Sequence, residues 1–105
     1  MVFIETPIFT KIIGSLLDDA EYRAMQEALV IHPHKGAIIK HSGGLRKLRW
    51  GLDQRGKSGG IRIIYYWLAA DDQIYMLYAF AKNSQENLTT KELDILRSLV
   101  EGWSR

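Results

Sequence analysis

The stretch from residue 43 to residue 68 constrains the fold of this chain more than any other. Residues 45–50 and 61–68 are rich in Ile, Leu, Tyr and Trp, the β-branched, aromatic and apolar types that favour strands. The glycine-rich residues 51–60 lie between these two runs. The pattern therefore predicts two strands joined by a long, basic loop.

Positive charge is concentrated in the same stretch. Residues 45–62 carry six Lys or Arg and one acid, a local charge of +5 in a chain whose net charge is +2. Because side chains alternate between the two faces of a strand, Lys47 and Arg49 are predicted to share one face, and Arg62 to share a face with Tyr66. A basic patch of this density is typical of a site for a polyanion, most simply nucleic acid.

Three helices are predicted from their caps and apolar spacing. Thr6, followed by Pro7, is a typical start for the first helix. Asp18 and Thr89 each precede a Glu by three positions, which is the capping-box pattern, and they are expected to begin the second and third helices. The second helix is expected to end near residues 32–36. The predicted buried stripes are Ile8, Phe9, Ile12, Ile13, Leu16 and Leu17 in the first helix; Tyr22, Met25, Ala28 and Leu29 in the second; and Leu93, Leu96, Leu99, Val100 and Trp103 in the third.

The predicted fold class is α+β, with the order β-α-α-β-β-β-α. Val2–Glu5 is the first strand, residues 73–82 are the last, and a tight turn at residues 71–72 connects the last two strands. The expected architecture is an antiparallel sheet with an N-terminal helical hairpin on one face and a C-terminal helix. The pairing of the first strand is left open. At this length, residues 1–105 are expected to form one domain.

Composition and context argue against several classes of function. The chain has no cysteine, which excludes a disulfide framework or a Cys-based zinc site. No apolar run reaches about 18 residues and no signal peptide is predicted, so we expect a cytoplasmic protein without membrane contact. Residues 51–58 match the phosphate-loop pattern, but that motif must open a helix, and Ser58 leads into a strand-like run. His32, His34 and His41 lack the spacing of metal ligands, so no metal or cofactor is expected, although His41 is a candidate substrate contact.

The order of elements and three motifs resemble the RelE/ParE superfamily of bacterial toxins across nearly the whole chain. The motifs are residues 43–50, residues 60–65 and residues 78–83, and they look most like the HigB branch. The resemblance implies a RelE-like fold and the toxin of a type II toxin–antitoxin system. RelE-type members are small, metal-free endoribonucleases that cut mRNA in the ribosomal A site and so inhibit translation. HigB-type toxins are neutralised by a HigA-like helix-turn-helix antitoxin.

Two other functions remain open at this point. ParE-like members of the superfamily share the fold but inhibit DNA gyrase without cleaving nucleic acid. The density of basic residues favours RNA cleavage over that alternative. A basic RNA-binding module without activity is the third possibility.

The resemblance also implies a set of site residues. Arg62 matches the catalytic-site arginine, and it suits phosphate stabilisation because its planar guanidinium stays charged and can hold two oxygens. Lys47, Lys57 and Lys82 are the candidates for proton transfer. RelE carries a further arginine after the fourth strand and a tyrosine near the last helix, and this chain has neither, so the general acid and base are not assigned. The predicted substrate-binding residues are Arg46, Arg49, Arg55, Tyr66 and Asn83.

Overall fold

A five-stranded mixed sheet lies at the centre of the described part of the chain. The structure, a computed structural model, describes residues 1–52 and 56–103, with side chains for residues 1–51 and 60–102. The strands lie in the order β1-β5-β4-β3-β2, and every neighbouring pair is antiparallel except β1 and β5. The elements are β1 (Val2–Glu5), α1 (Pro7–Leu16), α2 (Asp19–Ile31), β2 (Ala37–Ile38), β3 (Arg46–Leu52), β4 (Gly56–Leu68), β5 (Gln73–Ala81) and α3 (Thr90–Trp103).

The predicted helix starts are confirmed. The Thr6 hydroxyl accepts a hydrogen bond from the Phe9 backbone N–H at 3.1 Å. Asp18 and Glu21 form both bonds of a capping box, at 2.7 and 3.0 Å. Thr89 and Glu92 form the same reciprocal pair at the start of α3, at 2.9 and 3.1 Å. These bonds satisfy backbone N–H groups that have no partner within the helix.

The sheet separates two apolar clusters, and the predicted alternation of β4 is confirmed. The helical hairpin α1–α2 packs on the face to which Ile61, Ile63 and Tyr65 point. Helix α3 packs on the opposite face, where Ile64 lies buried beside Leu96. Because Arg62 and Ile64 are two positions apart on one strand, Arg62 lies on the α3 face. The other buried residues are Phe9, Ile13, Leu17, Met25, Leu29, Leu48, Ile74, Met76 and Ala79 on the hairpin face, and Leu45, Leu77, Phe80 and Val100 on the α3 face.

The strands differ from the prediction at their ends. The predicted loop at residues 51–60 was too long, since β3 continues to Leu52 and β4 begins at Gly56, with these two residues paired beyond a register shift. Pairing between the two backbones extends the strands through residues whose side chains do not favour them. Strand β2 was missed because two residues carry no alternation, and β5 ends at Ala81, one residue early. Strand β4 nevertheless runs through Ser58, so the phosphate-loop pattern leads into a strand, as predicted.

Two residues of the predicted helix stripes are wrongly placed. Ile8 is 49% exposed and Leu99 is 40% exposed. Both lie beside open apolar grooves at the margin of α1 and α3, because each helix contacts the sheet through a narrower face than its apolar spacing suggests. The Trp103 side chain lies outside the described residues. No helix in the described ranges is both long enough and apolar enough to cross a membrane.

Candidate functional site

Four basic side chains line one open concavity of about 290 Å³ on the α3 face of the sheet. Lys47 and Arg49 come from alternate positions of β3, and Arg62 comes from β4. Lys82 follows β5 directly, and its backbone N–H donates to the Gly60 carbonyl at 3.1 Å. The register of the sheet therefore gathers cations from three strands. Glu86 and Asn87, from the segment that precedes α3, complete the lining.

Arg49 and Arg62 lie directly opposite each other on β3 and β4. Like charges in directly opposed positions of an antiparallel pair destabilise the sheet. Among the described residues, neither arginine forms an ion pair with a carboxylate. The pair has an unfavourable electrostatic energy that an oxyanion between the two guanidinium groups would relieve.

Arg62 is the more deeply placed arginine, with 6% of its surface exposed. Its Nη1 donates to the carbonyl of Ile61 at 3.2 Å. Burial and, second, the charge of Arg49 lower the pKa of Arg62 from its ordinary value. An arginine stays charged even so, because its ordinary pKa lies far above neutral pH. Arg62 is therefore a desolvated cation, a state that favours strong binding of an anion.

Lys47 is held by a residue that the sequence did not single out. Its ammonium Nζ donates to the Asn87 side-chain oxygen at 2.9 Å. The Gln85 side chain in turn donates to the Asn87 backbone oxygen at 2.9 Å and to Glu92 at 3.2 Å. This chain of bonds links the concavity to the first turn of α3. Asn87 is 40 positions from Lys47 in sequence, so no local pattern indicated the contact.

Glu92 anchors this segment. Its carboxylate accepts hydrogen bonds from the Thr89 backbone N–H and the Gln85 amide. Partial burial alone would raise the pKa of Glu92, but the bonds from Thr89, Gln85 and Tyr78 outweigh it and hold the pKa below its ordinary value. Burial raises the pKa of Tyr78, and the hydrogen bond to Glu92 and the negative charge of that residue raise it further. Glu92 therefore stays ionised and keeps the segment in place.

Arg46 and Tyr66 do not line this concavity. Arg46 lies on the other face of β3, where its Nη1 donates to the carbonyls of His34 and Gly36 at 3.1 and 2.8 Å. Tyr66 packs over Gly44, whose φ is +106° and where a Cβ would lie 3.1 Å from the Tyr66 ring. Arg46 thus holds the turn after α2, and Tyr66 closes the α3 cluster.

The remaining predicted residues have separate positions. Asn83 is exposed next to Lys82 but is not part of the lining. Arg55 and the side chain of Lys57 lie outside the described residues. His41 adopts a φ of +59°, and its carbonyl accepts a hydrogen bond from Arg97 at 3.1 Å, so it belongs to a turn held against α3.

The two other histidines lie in the turn after α2. The rings of His32 and His34 meet edge to face with centroids 5.7 Å apart, and His34 lies 6.4 Å from the Trp67 ring. The Tyr65 hydroxyl fastens this turn by donating to the Pro33 carbonyl at 2.7 Å. Within the part of the chain that is described, no three His, Cys, Asp or Glu side chains are grouped as metal ligands.

One comparison with known families bears on this surface. A sequence model described as the RelE toxin of the RelE/RelB toxin–antitoxin system matches residues 14–105. The matched range begins within α1 and continues through α3. It includes all six residues that line the concavity.

Proposed function

Because this chain belongs to the RelE toxin family, we propose that it is a ribosome-dependent mRNA endoribonuclease that inhibits translation. It acts in the cytoplasm, as a single toxin domain over residues 1–105, without a metal or another cofactor. Its substrate is mRNA in the ribosomal A site. Within the family it belongs to the HigB-like branch, and its inhibitor is a HigA-like helix-turn-helix antitoxin.

The observation that carries this proposal is the convergence of four cations on one concavity. Lys47, Arg49, Arg62 and Lys82 surround a space that is open to solvent. Among the described residues, none of the four forms an ion pair with a carboxylate. Glu86 is the one acid among the six residues named in the lining, so the concavity keeps an excess of positive charge. Such an excess suits the binding of a phosphodiester.

Cleavage of RNA without metal proceeds by attack of the 2′-hydroxyl oxygen on the adjacent phosphorus. The 2′-oxygen–phosphorus bond forms and the phosphorus–5′-oxygen bond breaks, which leaves a 2′,3′-cyclic phosphate and a 5′-hydroxyl. A base must take the 2′ proton, and an acid must supply a proton to the leaving 5′-oxygen. Charge grows on the non-bridging oxygens during this step, so fixed cations lower the barrier.

The geometry supports distinct roles for the four cations. Arg62 and Arg49 can hold the two non-bridging oxygens, because their guanidinium groups oppose each other across β3 and β4. Lys47 and Lys82 lie on the same concavity and are the described candidates for proton transfer. Alignment of the mRNA by the ribosome would supply much of the orientation that the attack needs.

The proposal is tested with Arg62→Ala and a matched control, Arg23→Ala, which removes an exposed arginine from α2. Each variant and the wild type are induced in a bacterium, and breaks in an abundant translated mRNA are mapped by primer extension. We expect Arg62→Ala to lower cleavage by roughly 100-fold or more, the usual effect of losing one group that stabilises transition-state charge. Arg23→Ala should cleave like the wild type.

The same experiment contains the contradicting outcomes. A folded Arg62→Ala protein that still cleaves mRNA would remove Arg62 from the mechanism. Growth arrest by the wild type with intact mRNA and damaged DNA would indicate gyrase inhibition. Wild-type protein that neither arrests growth nor cleaves would contradict the enzymatic function altogether.

A further inference from the structure

A second group of cationic and aromatic side chains lies on the hairpin side of the sheet, away from the concavity. It consists of His32, His34, Lys35, Arg46 and Trp67, and we call it the turn surface. The rings of His32, His34 and Trp67 follow one another at centroid distances of 5.7 and 6.4 Å. Arg46 is connected to this row by its hydrogen bond to the His34 carbonyl at 3.1 Å. Both histidines and Lys35 are exposed, and the other two side chains are partly exposed.

The positive charge of the turn surface has no acidic counterpart in the surrounding sequence. Residues 28–52 contain no Asp or Glu and five Lys or Arg, which are Lys35, Lys40, Arg46, Lys47 and Arg49. Among the described residues, neither Lys35 nor Arg46 forms an ion pair with a carboxylate. The turn surface therefore attracts anions, as the concavity does, but from the opposite face of β3.

The turn that carries His34 and Lys35 is held rigidly. The Tyr65 hydroxyl accepts a hydrogen bond from the Gly36 backbone N–H at 2.8 Å and donates one to the Pro33 carbonyl at 2.7 Å. A Cβ at Gly36 would lie 2.8 Å from the Tyr65 ring, so this close packing requires glycine. A segment that is already ordered loses little conformational entropy when it binds a partner. The exposed side chains of the turn are thus held in place for binding.

We propose that the turn surface binds ribosomal RNA while mRNA occupies the concavity. This inference rests on the proposed function. Binding of mRNA in the concavity accounts for cleavage, but it does not account for the restriction of cleavage to the ribosome. A second RNA contact supplies that restriction. Because Arg46 and Lys47 lie on opposite faces of β3, one small domain can lie between two RNA segments.

The row of rings favours RNA over an acidic protein as the partner. Lys35 and Arg46 can contact phosphates of either strand of a folded RNA without reading its sequence. The His34 ring can stack on an unpaired base, since every base offers a flat face. An acidic peptide would use the cations but would gain little from exposed rings.

The first test measures binding of the purified full chain to vacant ribosomes by co-sedimentation at several salt concentrations and at pH 8, where histidine is ordinarily neutral. The variants are Lys35→Ala and His34→Ala. The matched control is Lys11→Ala, which removes an exposed lysine from α1. Since these side chains are exposed, the variants should fold, and circular dichroism will check this.

The two variants should differ in their dependence on salt. Lys35→Ala should weaken binding by about tenfold near 0.1 M salt and reduce the slope of log affinity against log salt by about one, the effect of losing one phosphate contact. His34→Ala should weaken binding by about tenfold through lost stacking and leave the slope unchanged. Lys11→Ala should bind like the wild type.

The second test measures single-turnover cleavage of mRNA on programmed ribosomes. For Lys35→Ala, the protein concentration that gives half the maximal rate should rise, and the maximal rate at saturation should stay that of the wild type. This pattern would show that Lys35 brings the protein to the ribosome and takes no part in the reaction. A lower maximal rate with unchanged ribosome binding would overturn the proposal.

Failure of this inference is distinguishable from failure of the proposed function. If the wild type cleaves translated mRNA and both folded variants bind ribosomes equally well, the turn surface does not bind ribosomal RNA, while the proposed function stands. If the variants instead lose only their neutralisation by the antitoxin, the surface binds a protein and the inference is wrong. If the wild type neither binds ribosomes nor cleaves, the proposed function fails and this inference falls with it.

Discussion

Arg62 and Arg49 show how one pair of residues can oppose stability and favour binding. Each guanidinium lies next to a like charge across the strands, and Arg62 has also lost most of its contact with water. Both conditions raise the free energy of the folded protein. At the buried Arg62 the same conditions strengthen the attraction for a phosphate, because this guanidinium has few contacts with water that binding would have to replace. Under the proposed function, these two positions therefore carry a conflict between folding and phosphate binding.

That conflict predicts the behaviour of Arg49→Gln. The substitution keeps a long polar side chain and removes the like-charge repulsion, so the free energy of unfolding should rise by about 0.5 kcal/mol at low salt. The gain should shrink in about 1 M salt, where exposed charges are screened. Urea unfolding at the two salt concentrations measures it. RNA cleavage by the variant should fall, and a less stable or fully active variant would contradict this account of the pair.

Asn87 is predicted to position Lys47. Asn87→Ala removes the oxygen that accepts from the Lys47 ammonium, and we expect cleavage to slow by about tenfold, the equivalent of roughly 1.4 kcal/mol. Asn87→Asp should slow it further, because a carboxylate in this place would neutralise Lys47 and repel the phosphate. Single-turnover cleavage on programmed ribosomes gives the order of the rates.

If Asn87 had only a structural role, its variants would lose stability together with activity. Asn87 is exposed, so both substitutions should change the free energy of unfolding by less than about 0.5 kcal/mol. If the Asp variant is as active as the wild type, Lys47 takes no part in the cleavage.

At the scale of elements, the position of the segment between β5 and α3 depends on the hydrogen bonds that the Glu92 carboxylate accepts. Glu92 has a pKa held below its ordinary value, so its contribution to stability is complete above roughly pH 4.3 and is lost as pH falls through the lower value of the folded state. Glu92→Gln should therefore lower the free energy of unfolding by about 1 kcal/mol at pH 7. The difference from the wild type should shrink as the pH falls below the ordinary pKa of a glutamate, and it should be lost once the pH is below the lower pKa of the folded state.

Urea unfolding at several pH values measures the effect of Glu92→Gln. The control is Glu101→Gln, an exposed acid in the last turn of the same helix, where the expected change is below about 0.5 kcal/mol at every pH. A deficit in Glu92→Gln that stays constant down to pH 3 would show that packing, rather than charge, makes the residue important.

The elements that the sequence predicted well are those whose causes are local. The three caps each need residues only three positions apart, and the alternation of β4 needs only its own side chains. The ends of β3 and β4, and the whole of β2, depend on pairing with a distant strand. For this reason the loop at residues 51–60 was predicted too long, and Ala37–Ile38 was missed.

At the scale of the molecule, the concavity exists because α3 covers only part of its face of the sheet. Helix α3 packs on Leu45, Ile64, Leu77 and Phe80. The next position of β4 on that face is Arg62, where the concavity begins. The opposite face is occupied by the helical hairpin. The apolar residues that stabilise the fold and the cations proposed to bind RNA therefore share strands but occupy different parts of them.

Part of the site could also be predicted, because the alternation of side chains along a strand is a local pattern. Alternation placed Lys47 and Arg49 on one face of their strand and Arg62 beside Tyr66 on the next strand, and Lys82 was expected to close the last strand. The pairing of Arg49 with Arg62, which the sequence did not predict, puts these faces on the same side of the sheet, and the structure brings all four cations together. Tyr66 shares that face with Arg62, but four positions along a strand amount to about 13 Å, too far for one concavity. Alternation gives the face of a residue and says nothing of its distance along the strand.

The opposed arginines have a practical consequence for genetics. A selection for cells that survive induction of this gene rewards any change that stops toxicity, and under the proposed function changes that remove a charge from the Arg49–Arg62 pair are among the simplest. Because such changes relieve repulsion in the sheet, the surviving clones should accumulate full-length protein as well as, or better than, the parent. Low protein abundance in a surviving clone would then indicate a substitution that disrupts the core, and high abundance would indicate one that inactivates the surface. An immunoblot could therefore sort the inactive variants before any activity assay.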